Sequence, residues 1–314
     1  MSEEPGLPAY DQLELIPELG LRHSWGVFGR GDSLGTVNLL TADRVRAASA
    51  LVRDGRVFRL DLPITEPDPP MYGRDRLVHT IFSASRNNWD DRLDNFHPQG
   101  STQWDGLRHV RCREFGFYGG YTAEPGEDDL GIEHWARHGI IGRGVLLDLE
   151  RHLRLAGTPV DPGAEMSIPS SMLATIAREQ AVELRPGDVL CVRTGWMRMY
   201  RERAAAGEAI HVDGRTPFPG LAADEAMARF LWDTRVAAVV ADNPAVEVSP
   251  GDPKVGSLHR RIIPLLGMAV GELFVLDELA EAAEADGRFD FLFVSIPMNL
   301  PGGVGSPGNA IAIR

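Results

Sequence analysis

Asn95 to Val110 reads NFHPQGSTQWDGLRHV. Pro98, Gly100 and Gly106 make it a poor helix, while Gln103, Asp105, Leu107 and His109 occupy alternate positions. On an extended backbone, residues at i, i+2 and i+6 point to the same face. Gln103, Asp105 and His109 therefore converge if the segment is a strand, and Gln99 joins them if the chain stays extended through Gly100. Trp104 then lies opposite, against the core, unless Gly106 bulges the strand. A carboxylate, an imidazole and carboxamide oxygens on one face can hold a divalent ion, or orient a water for attack on a carbonyl. A polar strand face stitched by ordinary hydrogen bonds fits the same spacing, and matches by spacing alone are often false.

The flanking sequence alternates strand-like and helix-like runs. TADRVRAASALVRDG has Thr41 as an N-cap and Gly55 as a stop, and VFRLDLPI reads as a strand. Thr65 to Asn88 shows no clear period beyond a short strand near LVHTIF, where His79 reads as a core histidine. GVLLDLE is a strand, SIPSSMLATIAREQAV a serine-capped helix, and RPGDVLCVRTGW a turn and strand. LAADEAMARFLWDT is helical and RVAAVVADNP is a strand. LHRRIIPLLGMAV and LDELAEAAEAD read as helices, FDFLFVSIPMNL as the last long strand, and PGGVGSPGNAIAI as a turn before a final strand. This alternation predicts an α/β fold with a mixed central sheet. With no repeat or linker, residues 1–314 are expected to form a single domain, 1–24 being an extended lead.

The chain is 314 residues long, 43% hydrophobic and 25% charged, enough to bury a substantial core. A net charge of −13 argues against binding nucleic acid or an anionic membrane. Its two cysteines, Cys112 and Cys191, are too far apart for a zinc knuckle or a redox pair, and Cys191 in VLCV reads as a buried small hydrophobe. The acidic start MSEEPGLPAYDQ lacks a signal peptide's apolar core, and no run is long enough to span a membrane. A cytoplasmic enzyme is the expectation.

The run around Asp105 resembles the signature HxGTHxDxPxH of the metal-dependent cyclase family, which includes kynurenine formamidase, isatin hydrolase and trans-dienelactone hydrolase. Laid on this chain, the glycine falls on Ser101, the threonine on Thr102, the aspartate on Asp105 and the last histidine on His109. The two leading histidines fall on Gln99 and Gln103, and the proline on Leu107. WGVFGRGDSLGTVNLLT, HGIIGRGVLLDLE, GDVLCVRTGW and VVADNPAVEV resemble further family blocks, and LHRRIIPLLGMAVGELFVLDEL supplies a late histidine and glutamate, His259 and Glu272.

The resemblance implies a swivelling β/β/α-type fold, a homodimer or homotetramer, and a small-molecule substrate. It also implies a divalent metal, Mn²⁺ or Zn²⁺, held by Gln99, Gln103, Asp105 and His109, with His109, His259 and Glu272 as catalytic groups. Because carboxamides are weak zinc ligands, His109, His259 and Glu272 are an alternative ligand set. Three readings follow. The first is a metal-assisted hydrolase of a cyclic amide, lactone or N-acyl compound. The second is a metal-free cyclase, dehydratase or isomerase with Gln99 and Gln103 orienting the substrate. The third is a member that binds a small molecule without turning it over.

Trp25, Phe28 and Trp104 are candidate substrate-binding aromatics, Trp25 lying in a glycine-rich segment able to fold over a pocket mouth. Arg193 is expected in an internal salt bridge. Asp242 can orient a histidine or cap the next segment, and His97 is near enough to replace a lost ligand.

Overall fold

The computed structural model describes residues 6–314. A hairpin of β1 (Glu14–Ile16) and β2 (Leu21–His23) leads into α1 (Ala42–Ser49) and β3 (Val57–Arg59). A second hairpin, β4 (Val78–Ser83) and β5 (Trp89–Asp94), precedes β6 (Gln103–Asp105). Then come α2 (Ile132–His138), β7 (Ile140–Asp148), α3 (Leu149–Leu155), β8 (Met166–Ile168), α4 (Ser170–Glu179), β9 (Val189–Arg193) and α5 (Trp196–Ala205). The last third holds β10 (Pro219–Leu221), α6 (Glu225–Asp233), β11 (Ala238–Ala241), α7 (Leu258–Ile262) and β12 (Ala269–Glu272). It closes with α8 (Asp277–Asp286), β13 (Asp290–Ser295), β14 (Gly305–Pro307) and β15 (Ala310–Ile313).

Nine strands form one mixed sheet in the order β14-β6-β12-β11-β9-β7-β13-β15-β3. The middle four, β12, β11, β9 and β7, run parallel, and antiparallel strands flank them on both sides. This is the α/β class with a mixed central sheet. VLCVR and AVVA are buried end to end, as strands covered on both faces must be. Their alternation sends Val189 and Cys191 into one core with Trp104, Phe274 and Phe293, and Leu190 and Val192 into another with Leu173, Met227 and Ile262. Among the described residues, no helix is long and apolar enough to cross a membrane.

Several local expectations are corrected. LHRRIIPLLGMAV is not one helix: α7 stops at Ile262, before Pro264, and Gly267 takes φ +67° before the chain turns extended as β12. Helix α4 has no serine side-chain cap, because Pro169 occupies the N-cap position. Within residues 6–24 of the lead, β1 and β2 pair as a hairpin, and residues 1–5 lie outside the described residues. Thr41 does cap α1, which ends at Ser49, short of Gly55. His79 is exposed and bonds Asp91 at 2.9 Å, so it is no core histidine. Cys191 is fully buried.

Candidate active site

Strand β6 lies antiparallel to β12, so Gln103 sits opposite Glu272 and Asp105 opposite Val270. Gln103, Asp105 and Glu272 thus share one face, at the carboxyl end of β12, where open α/β sheets place their sites. Trp104 takes the other face and is fully buried, its indole N–H donating to Ser295 Oγ at 2.9 Å. Trp104 as a substrate contact is therefore corrected: β6 is regular, no bulge turns the ring, and the indole packs against Phe274 and Phe293.

Beyond Asp105 the strand ends. Gly106 approaches within hydrogen-bond distance of Val304 O, where a Cβ would meet that oxygen at 2.6 Å. The chain then turns, His109 N donating to Gly106 O, so His109 reaches the site through a turn and not along a strand. Gln99 also arrives by a turn, closed by Gly100 N to His97 O. Gly305 makes room for it, since a Cβ there would lie 2.6 Å from Gln99 Cγ.

Four side chains from two distant parts of the sequence meet here. Asp105 Oδ2 lies 3.6 Å from both His109 Nε2 and His259 Nε2, and His259 Nε2 lies 2.9 Å from Glu272 Oε1. Gln99 Nε2 donates to Asp105 Oδ1 at 2.5 Å and faces His109 Nδ1 at 3.1 Å. Gln103 Nε2 donates to Asp105 Oδ1 and Glu272 Oε2. Gln103, Asp105 and Glu272 are buried, His259 and Gln99 are half-buried, and the His109 side chain is 32% exposed with the rest of the ring covered.

Two further residues escaped the sequence reading. Glu247 accepts from His259 Nδ1 at 2.7 Å, from Ser257 Oγ and from Leu258 N at the start of α7. It lies in the quoted block VVADNPAVEV, five residues beyond Asp242, but no spacing rule links it to His259. Tyr72 takes the left-handed conformation (φ 56°, ψ 30°) and lines a cavity of about 230 Å³ with Glu247 and Ser257. Tyr72 is 40% exposed, but the covered side of its ring and next the Glu272 charge raise the pKa of its hydroxyl, which donates to Pro244 O at 3.4 Å.

The electrostatics separate the two carboxyls. Burial and the Asp105 charge push Glu272 up to about 7. Burial also opposes the Asp105 charge, but His109, His259 and Gln99 outweigh it and hold that carboxyl below its usual value. Burial likewise disfavours a charged His259, yet its contacts with Asp105, Glu247 and Glu272 win and keep it protonated well above the usual range. Burial lowers the pKa of His109. Acid–base chemistry at neutral pH uses such a divergence.

The other candidates lie elsewhere. Trp25 stacks on His23 and donates to Pro264 O beside a separate cavity, and Phe28 packs edge-on to Trp232 at another. Neither cavity is lined by the Asp105 cluster, so the structure does not bring Trp25 or Phe28 to it. Arg193 is tied to Asp148, Glu150 and Asp277. Asp242 accepts from Thr194 and Gly195, fixing the end of β9, and orients no histidine. His97 lines a small cavity at the base of the β4–β5 hairpin.

Residues 58–248 match the Cyclase family model. The chain belongs to the Cyclase family. A crystal structure described as a novel cyclase superposes on this family member with a TM-score of 0.77 and 31% identity, covering 93% of this chain and 99% of that one. Isatin hydrolase A from Labrenzia aggregata, bound to benzyl benzoate, gives 0.58 at 16% identity, covering 84% and 94%. A predicted metal-dependent hydrolase from Bacillus stearothermophilus gives 0.50 at 16%, covering 83% and 98%. These last two likenesses are of fold. No curated protein matches this cyclase-family chain.

Proposed function

We propose that this chain is a metal-dependent hydrolase of a small cyclic amide, lactone or N-acyl compound. The observation that carries the reading is Asp105 Oδ2, buried and without a hydrogen-bond partner. Its two imidazole neighbours stand at 3.6 Å, too far for a hydrogen bond, and a cation between these groups would satisfy the oxygen directly.

The surrounding donors fit a divalent ion. Asp105, His259 and Glu272 offer ligand atoms within 4.8 Å of one another. Glu247 stands behind His259 at Nδ1, leaving Nε2 toward the two carboxylates. A carboxylate backing the far nitrogen of an imidazole is the usual outer support of a metal-binding histidine. Two hard oxygens and one imidazole suit Mn²⁺ or Zn²⁺.

Asp105, His259 and Glu272 would hold the ion. When bound, it supplies Lewis acidity toward a carbonyl and lowers the pKa of a water. Gln103 spans Asp105 and Glu272 and fixes their second oxygens. His109, uncharged near neutral pH because burial lowers its pKa, moves the proton between the water and the leaving group. Tyr72 O–H stays protonated and can donate to a substrate oxygen.

One observation favours a second reading, a hydrolase of the same compounds that works without a metal. Both glutamines turn amide hydrogens toward the carboxylates, supplying the positive potential a cation would give. An amide nitrogen only donates, so His109 Nδ1 must accept from Gln99 and its proton sits on Nε2. Glu272, near 7, then takes the proton of the water and returns it to the leaving group, while His109 donates a hydrogen bond from Nε2 to the substrate oxygen.

The test is metal analysis of untagged protein, with acid release from a panel of lactones, cyclic amides and N-acyl compounds followed before and after chelation. Bound metal with chelator-sensitive acid release supports the first reading; metal-free acid release supports the second. No acid from any panel member refutes both.

A further inference from the structure

Arg74 is half-buried, yet its guanidinium donates to no carboxylate and no carbonyl among the described residues. Every other buried or half-buried arginine among them has such an acceptor, as Arg108 has in Gly302 O, Arg143 in Asp188 and Arg261 in Ala223 O. Glu66 and Asp75 line the same small cavity as Arg74, but neither pairs with it. What Arg74 does meet is the ring of Tyr72, its Cζ lying 5.6 Å from the centroid. Its cavity also takes in His97 and Gly100, the turn that delivers Gln99. Arg74 therefore stands between the Gln99 turn and Tyr72, which lines the cavity shared with Glu247 and Ser257. Burial is the chief cause of the lowered His109 pKa, and the Arg74 charge adds to it, so the guanidinium is within electrostatic reach of that ring. We propose that Arg74 anchors a carboxylate carried by the substrate, so that the compound hydrolysed at the Asp105 site is itself an acid.

This rests on the hydrolase reading above and narrows its substrate. A guanidinium presents its N–H groups as a planar fork that matches the two oxygens of a carboxylate. Donors withdrawn from water without an acceptor carry a desolvation cost that such a ligand removes. Stacking on Tyr72 fixes the plane of the fork before the ligand arrives, which lowers the entropy lost on binding. The site itself is rich in carboxylates, Asp105, Glu247 and Glu272, in a chain of net charge −13. An acidic compound is repelled by that field unless a cation meets it at the mouth, and Arg74 is so placed. A phosphate calls for more donors than one fork supplies, and the nearby Arg76 is already tied to Asp68 at 2.6 Å. With its acid end held at Arg74, the substrate is oriented to present its amide or ester carbonyl to His109 and Asp105.

Titration calorimetry of the full chain with β-benzoylpropionate and with its primary amide tests this. The acid carries a carbonyl and a carboxylate but no bond to hydrolyse, so failure here is separate from failure of the compound panel to release acid. The parent should bind the acid about 10- to 100-fold more tightly than the amide, and added salt should shrink that ratio. Arg74→Gln should bring the ratio to about one, and Arg74→Lys, which keeps the charge but loses the fork, should retain part of it. Circular dichroism and melting establish that both variants are folded. A parent that binds neither compound or both alike, a ratio indifferent to salt, or a folded Arg74→Gln variant that keeps the preference overturns the inference.

Discussion

Glu272→Gln probes the electrostatics of the site without needing a substrate. The Glu272 carboxyl is lifted from 4.5 to about 7, by burial first and by the Asp105 charge second. A folded-state pKa above the unfolded one means the native chain holds the proton more tightly. The stability this contributes is present below pH 4.5 and lost as pH rises through about 7. The gap of about 2.5 pH units, at about 1.36 kcal/mol each, makes the full loss about 3 kcal/mol. Between pH 5.5 and 8.5 the metal-stripped parent should lose about 2 kcal/mol of it. Glutamine carries no charge, so the loss disappears. Its amide hydrogens would, however, face those of Gln103, which now donates to Oε2 at 2.9 Å. One lost hydrogen bond costs about 1 kcal/mol. The variant should therefore be about 2 kcal/mol more stable than the parent at pH 8.5, with a flatter pH profile, by urea denaturation of chelator-treated protein. A variant no more stable at pH 8.5, or two profiles that run parallel, refutes the reasoning.

Three other outcomes follow. Glu247→Gln keeps the shape behind His259 but removes the charge at Nδ1; Mn²⁺ or Zn²⁺ affinity by titration calorimetry should fall about 10- to 100-fold, and an unchanged Kd removes His259 from the ligand set. His109→Ala should lower kcat at least about 100-fold while circular dichroism and melting stay as in the parent, and retained turnover takes His109 out of the mechanism. Trp104→Ala empties a fully buried site between Phe274 and Phe293 and should cost about 3–5 kcal/mol in urea denaturation, a small loss contradicting its place in the core.

Much of the fold was legible in local pattern. Buried parallel strands such as VLCVR and AVVA announce themselves as unbroken apolar runs, and α6 carries its Asp224 cap as well as its apolar stripe. The errors came where a proline or a left-handed glycine cut a pattern short, as at Pro264 and Gly267 before β12. The alternation of Gln103 and Asp105 held because β6 is extended, whereas His109 and Gln99 reach the same point through turns that periodicity does not describe.

Residue chemistry along the chain is enough to say that this is an acidic α/β protein with a cluster of polar groups around Asp105, because periodicity and charge are local properties. Which groups oppose one another was settled by the pairing of β6 with β12, strands more than 160 residues apart, which set Gln103 against Glu272. The same folding brought Glu247 behind His259 and Tyr72 to the edge of the cluster, and sent Trp104 into the core. Contacts between remote segments depend on register and close packing, and neither leaves a mark in a short window of sequence.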